Sequence, residues 1–204
     1  MANTTGMMPF NGHRIQGRSS EEFINAPDVI RKLKLKKDAV FMDAGCGDAH
    51  AALDAAKILG PEAKIYGVDI YEDSINDLNK TIKEKQLKNV HAICSDITKH
   101  IDCEDNLFDC ILSINCFHGF NKMKRLDEAI EELKRITKTG GKISIVDFKK
   151  MEAPHGPGYK ARISEQFLEE AFAKHNMKMI NCDTTIGEDL EGGIKSHYLI
   201  EFQK

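Results

Sequence analysis

Residues 40–49, Val-Phe-Met-Asp-Ala-Gly-Cys-Gly-Asp-Ala, set one acid and two glycines at a spacing that can hold a ligand against the main chain. Three apolar residues run into Asp43, then come Gly45 and Gly47, and an alanine-rich helical pattern starts at Ala49. The order is strand, tight turn, helix. Glycines let the backbone turn sharply and let a ligand come close, and a helix start offers N–H groups that have no intrahelical partner. A second acid, Asp69, sits at the end of the next apolar run, Ile65 to Ile70. An acid there can take both hydroxyls of a ribose. A dinucleotide fingerprint would want a third small residue three positions after the second glycine; that position is His50, which points away from NAD. His118 follows a fourth apolar run, Phe108 to Phe117, and its ordinary pKa suits proton removal at neutral pH.

These residues need a scaffold, and the chain is long enough to supply one. At 204 residues and 41% hydrophobic it suits one compact domain, 1–204, with an N-terminal helical or lid extension over 1–36 and a ligand-binding core over 37–204. The net charge of −3 comes from interleaved acids and bases, so no basic arm for nucleic acid and no membrane-binding stripe is expected. No apolar stretch approaches the roughly 20 residues of a membrane span, and no signal-peptide pattern opens the chain. A cytoplasmic protein with a small-molecule partner is expected, as a monomer or homodimer. Of six cysteines, none form a C-x-x-C pair, and no metal site is expected. Cys94, Cys110 and Cys182 lie in strand-like runs, where free cysteine acts as a small core residue.

In chain order, Met1 to Ser20 has no clear period, and Met7, Met8, Phe10, His13 and Arg14 could form a lid over a ligand. A helix begins at Ser20, is interrupted near Pro27 and resumes through Leu33. Helices follow over Ala49–Gly60 and Tyr71–Gln86, with strands at Ile65–Ile70 and Asn89–Ser95. Phe108–Phe117 is read as a fully buried strand, Lys122–Lys138 as a helix stopped by Gly140-Gly141, and Lys142–Phe148 as a fifth strand. A helix from Ser164 and two strands near Met177–Thr184 and Ser196–Phe202, joined as an antiparallel hairpin, complete the chain. The alternation implies right-handed crossovers, a mostly parallel sheet with helices on both faces, and a ligand beyond the carboxyl ends of the strands.

The pattern Asp43-x-Gly45-x-Gly47-x-Ala49 resembles the acidic-Gly-x-Gly-x-Gly motif of class I S-adenosylmethionine-dependent methyltransferases, with Ala49 in place of the last glycine. Asp69, Ser95-Asp96, the stretch Asp109 to His118, and Thr139-Gly140-Gly141 follow in that family's order, so the resemblance covers nearly all the chain after Lys36 and is closest to the UbiE-like branch. It implies an α/β, Rossmann-like, doubly wound seven-stranded sheet with an antiparallel C-terminal strand. The implied activity is in-line transfer of a methyl group from S-adenosylmethionine to a small-molecule acceptor, leaving S-adenosylhomocysteine.

The implied cofactor residues are Asp43, Gly45, Cys46 and Gly47 at the turn, Asp69 and Ile70 at the ribose, Asp96 and Ile97 at the adenine, and Asn115 at the end of the fourth strand. Each acid has a second possible role. Asp43 can organise the turn by accepting backbone N–H bonds, Asp69 can cap the helix near Asp73, and Asp96 can cap the turn at 97–100. His118 is the candidate general base or a hydrogen-bonded wall, with His155 in a similar position. The Asn115-Cys116-Phe117-His118 tetrad lacks the prolines that nucleic-acid N-methyltransferases carry there. Two other classes share the fold: a protein that binds S-adenosylmethionine without transferring anything, and a nucleotide-dependent oxidoreductase.

Overall fold

The computed structural model describes residues 19–204 and, before them, only the backbone of two short paired strands, β1 (Pro9–Phe10) and β2 (His13–Arg14). The expected lid therefore lies outside the described residues, as do the side chains of Phe10, His13 and Arg14. A single 3-10 turn at Ser20–Glu22 leads to α1 (Ala26–Lys32). Pro27 starts this helix rather than interrupting one: Asn25 caps it by accepting the Asp28 N–H, and proline fits a first turn whose N–H groups have no partners.

The core alternates β3 (Val40–Ala44), α2 (His50–Leu59), β4 (Lys64–Asp69), α3 (Glu72–Glu84) and β5 (Val90–Cys94). Then come β6 (Phe108–Ile114), α4 (Phe117–Lys122), α5 (Leu126–Ile136), β7 (Thr137–Phe148), α6 (Glu165–Lys174), β8 (Lys178–Asp189) and β9 (Lys195–Gln203). The seven-stranded sheet has the order β5-β4-β3-β6-β7-β9-β8, parallel except for β9, which runs antiparallel to both neighbours. The sheet is thus Rossmann-like and doubly wound. Its order reverses between β3 and β6, the crevice where such folds bind ligands.

Side-chain alternation divides the core between the two faces. Phe41, Cys110, Leu112, Val146 and Leu199 pack under α1 and α2, while Met42, Ile111, Ile143, Ile145 and Tyr198 pack under α5 and α6. Ala51, Ala52 and Ala55 are buried on the inner face of α2, so that helix can sit close to the sheet and bring its start over β3.

Three further expectations from the sequence differ from the structure. The fourth strand ends at Ile114, because Asn115 takes a left-handed φ of 58° and turns the chain into α4. Asparagine tolerates that region better than most residues, and the apolar run continued only because Phe117 reaches the core from a helix. The following helix stops at Ile136, before the glycines. Gly140 and Gly141 belong to β7, where a Cβ on Gly141 would press on the carbonyl oxygens of Lys138 and Phe108. Finally, Cys110 is buried, but Cys94 and Cys182 are exposed, on β5 and β8, the two edge strands of the sheet.

Candidate functional site

Beyond Ala44 the chain is tied to the neighbouring strand: the N–H groups of Gly45 and Cys46 donate to the Val68 carbonyl at 2.8 and 3.0 Å. Gly45, Gly47 and Ala49 then take φ values of 78°, 52° and 61°. The two glycines serve different needs. A Cβ on Gly45 would collide with the Cys116 sulfur, whereas a Cβ on Gly47 would meet nothing within 4 Å and would project into open space. Ala49 adopts the left-handed conformation with a side chain, at a cost of about 1 kcal/mol. Asp43, almost fully buried, accepts the Ala52 N–H at 2.9 Å and so fixes the start of α2 above the turn. Burial pushes its carboxyl up to about 7, against the pull of the His50 charge and the Ala52 bond. The Cys46 side chain packs towards Gly67 in the core, so at the turn this residue presents its backbone.

Asp69, at the end of β4, reaches back to the turn. Its Oδ2 accepts the Gly47 N–H at 2.8 Å and its Oδ1 accepts the Tyr71 N–H at 2.9 Å. A carboxylate offers about four lone-pair positions, so one on each oxygen remains for further donors. Ile70, next to it, is 49% exposed, a large apolar side chain standing at the rim of the crevice. Asp96 caps the turn that follows β5: its Oδ1 accepts the Thr98 N–H and hydroxyl at 2.9 and 2.7 Å. Burial raises its carboxyl, but these bonds and Lys99 outweigh burial and hold it below the usual range. Ile97 is in the core beneath.

Across the crevice, Asn115 donates its N–H to Val146, while its buried Oδ1 has no hydrogen-bond partner among the described residues. His118 lies in the first turn of α4, buried, with its Nδ1 2.8 Å from Asp147 Oδ1 and its backbone N–H 3.0 Å from Asp147 Oδ2. Asp147 is fully buried and also accepts the Phe148 N–H at 2.8 Å. Burial would raise its carboxyl. The His118 charge and these three bonds win, and keep it below the ordinary carboxylate range.

The family model of the methyltransferase domain matches residues 35–202. The chain belongs to the methyltransferase-domain family. This methyltransferase domain is 29% identical to a demethylmenaquinone methyltransferase of Geobacillus stearothermophilus over 114 residues, 56% of this chain and 47% of that protein. It thus spans about half the length of the curated relatives it matches. Its fold matches a SAM dependent methyltransferase from Aquifex aeolicus with a TM-score of 0.76 at 22% identity, over 93% of this chain and 94% of that one. It also matches the cyclase SpnF, with a TM-score of 0.70 at 17% identity, over 87% and 79% of the two chains.

Of the residues singled out in the sequence, the methyltransferase domain brings Asp43, Gly45, Gly47 and Asp69 together at one turn, with Asn115 in the turn that follows β6. Asp96 and Ile97 follow the neighbouring strand, and His118 stands beside Asp147. The sequence did not single out Asp147, Phe148, Arg162 or His197. The one signal for Asp147 was a lone acid near the end of an otherwise apolar strand. Arg162 is buried and holds the loop after β7 by its carbonyls: Nε donates to Pro157, Nη1 to Lys149 and Nη2 to His155, at 2.8, 3.2 and 2.6 Å. His155 itself is exposed, 3.2 Å from Glu188, with its ring 5.4 Å from that of Phe23. On the other side of the turn, His50 bridges Asp48 at 2.7 Å and the Ser20 hydroxyl at 3.2 Å.

Proposed function

We propose that this protein transfers a methyl group from S-adenosylmethionine to a small-molecule acceptor. The observation that carries this is the open space over Gly47, whose N–H is held by Asp69 with lone pairs to spare, together with an Asn115 Oδ1 that has no partner among the described residues. Those acceptors fit the cofactor. Asp69 would accept the two ribose hydroxyls, Asn115 Oδ1 would accept from the ammonium group, and the exposed Ile70 would cover an apolar face of the adenine. Asp43, Gly45, Cys46 and Gly47 shape the turn, and Asp96 and Ile97 close the adenine end. When bound, S-adenosylmethionine supplies a methyl group on an already activated sulfonium.

The protein's work is then to position and dehydrate the acceptor, a proximity effect that can reach roughly 7 to 11 kcal/mol. His118 serves as general base through Nε2, while Asp147 holds Nδ1–H and so fixes the tautomer and ring orientation. Residues 37–204 would hold the cofactor, with α1 of the preceding segment packed against α2. No described helix is long and apolar enough to cross a membrane.

Calorimetric titration with S-adenosylmethionine, S-adenosylhomocysteine and NAD, followed by methyl transfer to thiols, phenols, quinols and amines, tests the proposal. Binding of the first two and not of NAD is expected. Tight NAD binding would overturn it. His118→Ala should lower turnover on the order of 10²- to 10⁴-fold and leave cofactor affinity unchanged; wild-type turnover would remove His118 from the chemistry.

A further inference from the structure

Asp48 and His50 flank the left-handed Ala49 at the start of α2, and both are tied to the segment that precedes α1. His50 Nδ1 lies 2.7 Å from Asp48 Oδ1, and Nε2 lies 3.2 Å from the Ser20 hydroxyl oxygen. The Ser19 hydroxyl accepts the Glu21 N–H at 3.2 Å and donates to Asp48. Burial alone would lower the His50 imidazole, but Asp48, Asp43 and Glu21 outweigh it and raise it above its ordinary value. A charged ring donates from both nitrogens, here one to Asp48 and one to Ser20. Asp48 is held at about 2, chiefly by its bond to His50 and against the effect of burial.

The far end of the same short segment meets another part of the sheet. The Phe23 ring lies 5.4 Å from that of His155, in the loop after β7, and 6.3 Å from that of Phe148, at the end of β7. In the sheet β6 stands between β3 and β7. Residues 19–23 therefore link turns on either side of β6, whose carboxyl end leads into Asn115. The hold on this segment is thin. Ser20–Glu22 has no buried side chain, whereas Ile24, Ala26 and Val29, which follow, are buried in the core. Segments with few buried contacts open at little free energy, so residues 19–23 can lift about Ile24 while α1 stays docked.

We propose that Asp48 and His50 are positioning residues that catch Ser19–Phe23 as a strap, and that the strap carries occupancy of the glycine turn to the loop after β7. This rests on the methyltransferase function proposed above. A ligand lying on the Gly47 backbone orders the turn, and with it the carboxylate and the ring that grip Ser19 and Ser20. The effect is reciprocal: the factor by which a closed strap raises ligand affinity is the factor by which ligand favours closure. Arg162 already sets the path of the loop, so closure packs Phe23 onto it rather than reshaping it. The donor therefore binds first, and the loop is covered once the donor is in place.

The test uses the full chain with and without S-adenosylhomocysteine and reads amide hydrogen exchange at three places. These are the turn at 47–52, the loop at 149–156, and the Phe23 and Ile24 amides, which donate to the Ser20 carbonyl at 3.0 and 2.8 Å. In wild type, saturating ligand should slow exchange at all three, by roughly 5- to 150-fold in the strap. Ser19→Ala/Ser20→Ala removes both hydroxyls and leaves the turn's own residues in place. There the ligand should still protect the turn, while strap and loop barely respond and affinity falls by the factor that the strap has lost. Ser19→Thr/Ser20→Thr, which keeps the hydroxyls, should restore the response. Phe23→Ala should uncouple the loop and leave the turn responsive. If ligand leaves the wild-type strap unprotected, or if the loop of the alanine variant responds as in wild type, the inference is wrong while the methyltransferase function stands. If S-adenosylhomocysteine does not bind wild type, both fall.

Discussion

Replacing Asp69 by asparagine separates what this carboxylate does for the fold from what it does for a ligand. Its two oxygens each accept one backbone N–H, from Gly47 and Tyr71. Asparagine keeps one oxygen and sets an NH₂ group against one of those donors. The unliganded protein therefore loses one charge-assisted bond, about 1.5 to 3 kcal/mol, which for a chain of this length lowers the melting temperature by about 3 to 12 °C. The ligand loses more than one contact. Of the two lone-pair positions left for ribose hydroxyls, one disappears and the other loses its negative charge, so affinity for S-adenosylhomocysteine should fall by about 1.5 to 3 kcal/mol, or roughly 10- to 150-fold. Thermal unfolding without ligand and calorimetry with it, repeated with the 2′-deoxy analogue, complete a double-mutant cycle. If the ribose hydroxyls bind Asp69, the substitution costs the analogue less than it costs the parent. Equal losses for both ligands would refute a ribose contact and leave Asp69 as a brace for the turn.

Gly47→Ala should fold with a loss of about 1 kcal/mol from its left-handed φ yet bind S-adenosylhomocysteine poorly, because the added methyl enters open space that the ligand needs; calorimetry that finds native affinity would place the ligand elsewhere. Gly45→Ala meets the Cys116 sulfur and should be destabilised by more than about 2 kcal/mol in urea unfolding, whether or not ligand is present. Ala49→Gly relieves a left-handed alanine at a cost in unfolded-state entropy, and should raise stability by about 0.5 kcal/mol; a loss in denaturant unfolding would contradict the strain. For Asp43, the native carboxyl titrates near 7 against 3.8 when unfolded, so the native state keeps a proton that the unfolded chain has released. Its contribution is fully present below 3.8 and lost as pH rises through about 7. Asp43→Asn should remove a pH-dependent term on the order of a few kcal/mol, seen as a gap between the two proteins' urea midpoints that changes from pH 4.5 to 8.

The glycine turn and Asp69 were legible in the sequence because they meet backbone demands, and backbone demands leave local marks: only glycine serves Gly45, and an acid after β4 stands alone in its run. The alternation of runs and helices likewise implied a mostly parallel sheet covered on both faces, since parallel strands need crossovers. Where the chain left β6 was not legible. Phe117 is as apolar as a strand residue, and the turn depends on the conformation of Asn115, which its type permits without requiring. Asp147 was overlooked for a different reason. Its partner His118 is 29 positions away, and no spacing rule connects two residues that meet only when β7 lies beside β6. The exposed Cys94 and Cys182 show the same limit, since a run's composition does not say whether its strand lies at the edge of the sheet.

The loop between Lys149 and Pro157 takes its shape from a residue outside itself. Arg162 grips three main-chain carbonyls, so the path of the loop does not depend on the side chains it displays. Such an arrangement separates conformation from chemistry. Side chains at 151–155 can be exchanged for others, by natural divergence or by design, while the frame that presents them stays in place. The grip is also a single point of failure: one substitution at Arg162 would release the whole loop at once, whereas many changes within the loop would leave it standing. Variation among proteins built this way should therefore gather in the displayed positions and spare the guanidinium.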